Sequence, residues 1–231
     1  MSLLRRRWLS LAGAAIAVAA APRVAMAAEP RARRLQNRLE LWANYARRSS
    51  KNLLARITTT RETSLLDEPL VATGTLAFLA PATLVLRDDG LTGSTTLIDD
   101  GDLLVQPNQP DMPRGPEIDP REHEAAAWLA DRLIRCFAPS EDDEALIEGA
   151  RVDVPKGRGY RLELRPVRGS VVRQLLRSMT IHFDPVGGAV TEILIAEAQG
   201  DRLRIQVTDH RQNVEDEDTD RILDEARKLR K

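Results

Sequence analysis

Three stretches late in the chain alternate apolar and polar residues with a period of two. Tyr160, Leu162 and Leu164 alternate with Arg161, Glu163 and Arg165. Met179, Ile181 and Phe183 alternate with Ser178, Thr180 and His182, and Leu203, Ile205 and Val207 alternate with Arg202, Arg204 and Gln206. A strand sends successive side chains to opposite faces, so each run has one apolar and one wet face. Strands of this kind belong to an antiparallel sheet whose apolar face covers either a packed core or a bound ligand. The pattern leaves both open.

The chain begins with a segment that reads as an address and not as fold. Arg5, Arg6 and Arg7 are followed by an apolar, alanine-rich run from Trp8 to Ala21, and Ala25-Met26-Ala27 carries small residues where a signal peptidase cuts. Residues 1–27 are therefore expected to be a removable export signal, of twin-arginine or general secretory type, which implies a periplasmic protein. Loss of Arg5, Arg6, Arg7 and Arg23 takes the net formal charge from −1 to −5. A mildly acidic chain argues against nucleic acid as a partner. Cys136 is the single cysteine, so no intramolecular disulfide forms, and its position on an apolar helical stripe reads as a small buried hydrophobe.

Helical periodicity appears early and in the middle. Leu35, Leu39, Trp42 and Ala46 form one stripe over about 30–50, with arginines on the other surfaces. Asp119, Pro120 and Glu122 give start chemistry to a second helix that runs to Phe137, striped by Ala125, Trp128, Leu129, Leu133 and Cys136. Residues 140–148 read as a third, short helix ending at Gly149. Between the first two helices lie five strand candidates, at 53–61, 71–79, 83–87, 95–98 and 102–106, with Gly74 a candidate bulge or bend. Five more follow, at 150–154, 160–165, 178–184, 190–196 and 201–209. The fold class is α+β, with helices segregated to one face of a large antiparallel sheet. Residues 28–213 form the domain, and 214–231 an acidic tail with a short amphipathic helix.

Gly74-Thr75-Leu76-Ala77-Phe78-Leu79-Ala80-Pro81-Ala82-Thr83-Leu84, the hairpin Leu97 to Leu104 around Asp100-Gly101, and the late meander from Tyr160 to Val207 together resemble the LolA-type lipoprotein carriers. The resemblance implies an unclosed half β-barrel, its curved sheet covered by a lid of short helices over an apolar cavity. It also implies a monomeric carrier, without cofactor, metal or enzymatic activity, that shields an acyl chain of a lipoprotein or other lipid. Its donor would be an inner-membrane ABC transporter and its acceptor an outer-membrane receptor. The family commonly has a basic residue before the strand-ending proline. Here that position is Ala80, and Arg61 and Arg87 are candidates for a substitute latch.

On this reading the cavity is lined by Leu76, Phe78, Leu84, Leu86, Leu103, Val105, Leu162, Leu164, Met179, Ile181, Phe183, Leu203 and Ile205, with Trp128 contributed by the middle helix. The alternative for the same residues is a dry core. His123, His182 and His210 are far apart and lack metal-site spacing. Acidic pairs such as Asp99-Asp100 are explained by turn chemistry, and no nucleophile elbow surrounds a serine. A second functional class uses the same scaffold without cargo: an envelope sensor or protein-binding module engaged through the basic first helix or the acidic tail.

Overall fold

The computed structural model describes residues 30–48, 51–90, 93–99, 101–109, 120–138, 142, 144–156, 159–214, 219–222 and 224. Residues 1–27, expected to be an export signal, and the acidic run 215–218 lie outside the described residues. In chain order the elements are α1 (Arg31–Arg48), β1 (Asn52–Glu62), β2 (Leu70–Leu79), β3 (Thr83–Asp88), β4 (Ser94–Asp99), β5 (Asp102–Pro107), α2 (Pro120–Phe137), β6 (Arg151–Asp153), β7 (Tyr160–Arg165), α3 (Val172–Leu175), β8 (Leu176–Phe183), β9 (Val190–Glu197) and β10 (Arg202–Gln212). All ten strands join one antiparallel sheet in the order β5-β4-β3-β2-β1-β10-β9-β8-β7-β6. Each half is a meander of neighbouring strands, and the long β1–β10 pairing joins the halves. The sheet is not closed: β5 and β6 stand at opposite ends. The expected α+β class, an unclosed antiparallel sheet with a few short helices, is the observed one.

Expected and observed elements agree within a few residues, with two differences. Residues 144–149 form turns, with Ile147 N donating to Glu144 O at 2.9 Å, where a helix was expected. The single turn α3 was not foreseen. Gly74 is not a bulge. It pairs regularly with Ile57 and Asp88, and a Cβ there would lie 1.9 Å from the Arg87 carbonyl oxygen. Close backbone approach is what excludes a side chain at this point.

Helix α1 lies on the inner face of the sheet, burying Leu39, Trp42, Ala43 and Ala46. Its arginines, expected on a solvated face, partly fasten it to its surroundings. Arg31 pairs with Asp153 at 3.2 Å, Arg48 donates to Gly187 O at 2.8 Å, and Arg38 is buried, donating to Arg34 O and Gly159 O. The β8–β9 turn comes so near α1 that a Cβ on Gly188 would lie 2.2 Å from Leu41 O. The Trp42 indole Nε1 donates to the Cys136 carbonyl at 3.1 Å, both buried, which joins α1 to α2. Arg132 and Arg135 then tie α2 to the 144–149 turns: Arg132 donates to Leu146 O and Glu148 O, and Arg135 to Ala145 O and the Glu148 carboxylate. Burial draws the Arg132 guanidinium below its ordinary value, and Asp131 opposes that shift. Cys136 is fully buried, and desolvation pushes its thiol well above the usual range, so it packs as a hydrophobe.

Candidate functional site

The register assigns each strand residue to a face. One inner row runs Leu162–Ile181–Ile193–Ile205–Thr59 across β7, β8, β9, β10 and β1. A second runs Leu53–Phe78–Leu84–Ile98–Leu103 across β1 to β5, and a third Ala55–Leu76–Leu86–Thr96–Val105. The inner face is thus an aliphatic sheet surface beneath α1 and α2.

The sequence-expected lining divides into two groups by burial. Leu76, Phe78, Leu84, Leu162, Leu164, Met179, Ile181, Phe183 and Ile205 are buried in one cluster with the helices' Leu39, Trp42, Leu133, Cys136 and Phe137. Leu86, Leu103, Leu203 and Trp128 are partly buried against that cluster. Val105 is 53% exposed. Along the third row accessibility therefore climbs from nothing at Leu76, through half-buried Leu86 and Thr96, to open at Val105. The apolar inner face is sealed from β6 to β1 and opens toward β5.

Sequence reading missed part of this surface. Leu53, Ala55, Ile57, Ile98, Ile193 and Ile195 share it, as cross-strand neighbours of the expected residues. Alternation in 193–195 and 53–57 carried that signal. Ile98 could not be assigned from pattern, because Leu97 and Ile98 are both apolar and only the register gives one to each face.

Of the two latch candidates, Arg87 stands on the outer face. It pairs with Thr75 and Thr95, one step out of phase with Leu84 and Leu86, so it cannot reach a lid on the inner face. The inner face does carry a carboxylate at its open half. Asp88, opposite Gly74, accepts a hydrogen bond from the Thr59 hydroxyl at 2.9 Å. Burial raises its pKa above the usual carboxylate value, against the lowering effects of Thr59 and Arg61. The histidines are dispersed: His123 on α2, His182 on the outer face of β8 near Glu192, and His210 on β10 with Nε2 2.9 Å from Val190 O.

The outer face also differs between halves. From β7 to β10 it is charged, with Glu192 near both His182 and Arg204, and Glu163 paired with Arg165 at 2.9 Å. From β1 to β5 it carries a second apolar row, Leu54–Ala77–Val85–Leu97–Leu104. Ile222, in the helical stretch 219–222, is buried against this row. The C-terminal segment thus packs on the face opposite α1 and α2.

No family model matches the sequence. No curated protein matches it either. Solved structures similar to this chain include a LolA superfamily protein from Nitrosomonas europaea, 13% identical, with a TM-score of 0.40 over 79% of this chain and 94% of that one. Another is MucB in the Pseudomonas aeruginosa MucA/MucB complex, 16% identical, TM-score 0.38, covering 81% of this chain and 60% of that chain. A third is a putative outer membrane lipoprotein-sorting protein domain from Vibrio parahaemolyticus, 12% identical, TM-score 0.30, covering 82% and 98%. Among the described residues, no helix is long and apolar enough to cross a membrane.

Proposed function

We propose that the chain is a periplasmic carrier that receives an acyl chain, from a lipoprotein or another lipid, at the open end of its apolar inner face and moves it between membranes. The observation that carries this reading is the third inner row, which runs out of the sealed core through Leu86 and Thr96 to an exposed Val105. At its rim stand Leu86, Leu103, Val105 and Trp128, none of them fully covered. Aliphatic groups suit a flexible hydrocarbon, since they offer apolar contact without demanding a fixed geometry. Each buried methylene is worth about 0.8 kcal/mol, so a 16-carbon tail gains roughly 10 kcal/mol before ordering costs are subtracted.

Helix α2 is the element that would move. Its C-terminal half is held by Trp42 through Cys136 O and by Arg132 and Arg135 through the 144–149 turns. Its earlier turns carry Trp128 and Leu129, which are half-exposed. Swinging that end away from the sheet widens the entrance without undoing the anchors, and closing it shields the cargo. The role requires binding and release without covalent change. It places an inner-membrane donor, an ABC transporter, and an outer-membrane receptor at the two ends of the journey.

Native mass spectrometry of the chain, exported from its own signal and purified without detergent, tests the reading. A bound lipid is expected in the natural chain and absent from Val105→Asp. A protein that never carries lipid, yet forms a stable complex with one envelope protein, would replace the carrier by a binding module.

A further inference from the structure

The outer face holds a concavity of its own. It is a cleft of about 520 Å³ between β1, β2, β10 and the C-terminal helical stretch. Arg56, Arg211 and Arg221 line it, together with the Thr75 side of β2 and one carboxylate, Asp209. Leu54 and Ile222 give it an apolar wall.

The cleft exists because of a break in register. Leu54 pairs with Arg211 but Arg56 with Thr208, so β10 spends two residues, Asp209 and His210, where β1 spends Ala55. Asp209 takes a left-handed conformation, φ 52°, at this bulge. A bulge re-aims the side chains beside it. His210 turns inward to Val190 O and the Tyr45 ring, while Arg211 returns to the outer face level with Leu54. The bulge thus brings Arg211 to the same rim as Arg56, and the C-terminal stretch adds Arg221. Arg56 stands 4.0 Å from the Asp209 carboxylate, so the lining holds three arginines against that one carboxylate.

We infer that this cleft binds the phosphate of an amphiphilic organophosphate, with the adjoining hydrocarbon against Leu54 and Ile222. Three arginines, each with a guanidinium fork, line the cleft from three segments, a donor set that matches a tetrahedral oxyanion with several acceptor oxygens. A lone carboxylate would satisfy one fork. The chain is acidic once its signal is removed, so a locally cationic cleft is a departure from the surface at large. A free phosphate and a phospholipid headgroup share the decisive chemistry, and the apolar wall favours the headgroup.

The test titrates ¹⁵N-labelled full mature chain with short-chain dihexanoyl phosphatidylglycerol below its micelle concentration, and separately with inorganic phosphate. Amide shifts are expected at Arg56, Thr75, Asp209 and Arg211, with affinity falling as salt rises. Arg56→Ala combined with Arg211→Ala should weaken binding by about tenfold or more. Both side chains are exposed, so the fold should survive, as circular dichroism will confirm. Asp209→Asn tolerates the left-handed backbone and removes a repelling charge, so it should tighten binding. Phosphatidylglycerol binding well above inorganic phosphate assigns the headgroup, and equal binding assigns the phosphate alone. The inference is overturned if neither shifts these amides, if the double variant binds as the natural chain does, or if shifts fall only at Leu86, Leu103 and Val105. The carrier reading stands or falls separately, on the lipid carried by the natural chain.

Discussion

The two halves of the sheet use the same strands and turns to opposite ends. From β6 to β10 the inner face is closed under α1 and the outer face is charged and wet, which is how an antiparallel layer covers a core. From β2 to β5 the inner row rises to an exposed Val105, and the outer face carries an apolar row with Ile222 packed on it. The first half has one job, to be a wall. The second buries side chains on both faces and still leaves apolar surface over at its inner edge.

The largest break in this comparison is a charge placed in each half. Ile181→Asp puts an unpaired carboxylate into the closed half, where the side chain is fully buried, and should destabilise by roughly 4 kcal/mol or more. Val105→Asp, at the open edge, should stay within about 0.5 kcal/mol of the natural chain. Urea unfolding of both measures the contrast, and equal losses would mean that the halves do not differ.

Next is the seal itself. Trp42→Phe removes the fused five-membered ring with its N–H, so it opens a small cavity and leaves the buried Cys136 carbonyl without its donor, a combined loss of about 2–3 kcal/mol. A midpoint that barely moved would mean that α1 and α2 are not joined there.

Smaller and pH-dependent effects separate the halves further. Burial lowers the pKa of His182 and His210 below 6.5, so each binds fewer protons folded than unfolded. Their contribution is fully present above pH 6.5 and is lost as pH falls through the window between 6.5 and the lowered folded values. Unfolding midpoints at pH 7.5 and 5 should show this loss, and a variant with both changed to Gln should show less of it.

Asp88 has the reverse sign. Its folded pKa is raised, so ionisation above 3.8 weighs against the fold. Asp88→Asn keeps the acceptor for Thr59 and should stabilise at pH 7 by the smallest margin of the set. The gain should vanish as pH drops below 3.8, and a destabilised variant at pH 7 would refute the sign.

The difference between halves also explains what could be read from sequence. Alternation at 160–165, 178–183 and 202–207 reports a wet outer face, and those strands emerged as expected, with Tyr160 exposed and Ser178 buried against the pattern. In 76–79, 83–86 and 97–98 apolar residues stand side by side, because both faces are covered there. Such runs mark a strand but do not say which face a residue joins, so Leu54, Ala77, Val85 and Leu97 went unassigned. The place of the C-terminal stretch on that second row had no local signal, since it depends on a contact between distant segments. Residues 144–149 carry helical start chemistry but complete no helix, because Arg132 and Arg135 take the carbonyls of Ala145, Leu146 and Glu148 instead.

The central claim is that hydrocarbon enters at the β3–β5 edge and not elsewhere. A palmitoyl chain bearing a doxyl spin label near its terminus, added to ¹⁵N-labelled mature protein, reads its position through paramagnetic broadening. Broadening at Leu86, Leu103, Val105 and Trp128, with the amides of Arg161 and Glu192 on the charged outer face left sharp, is the predicted result. No broadening, or broadening spread evenly over the surface, would contradict it.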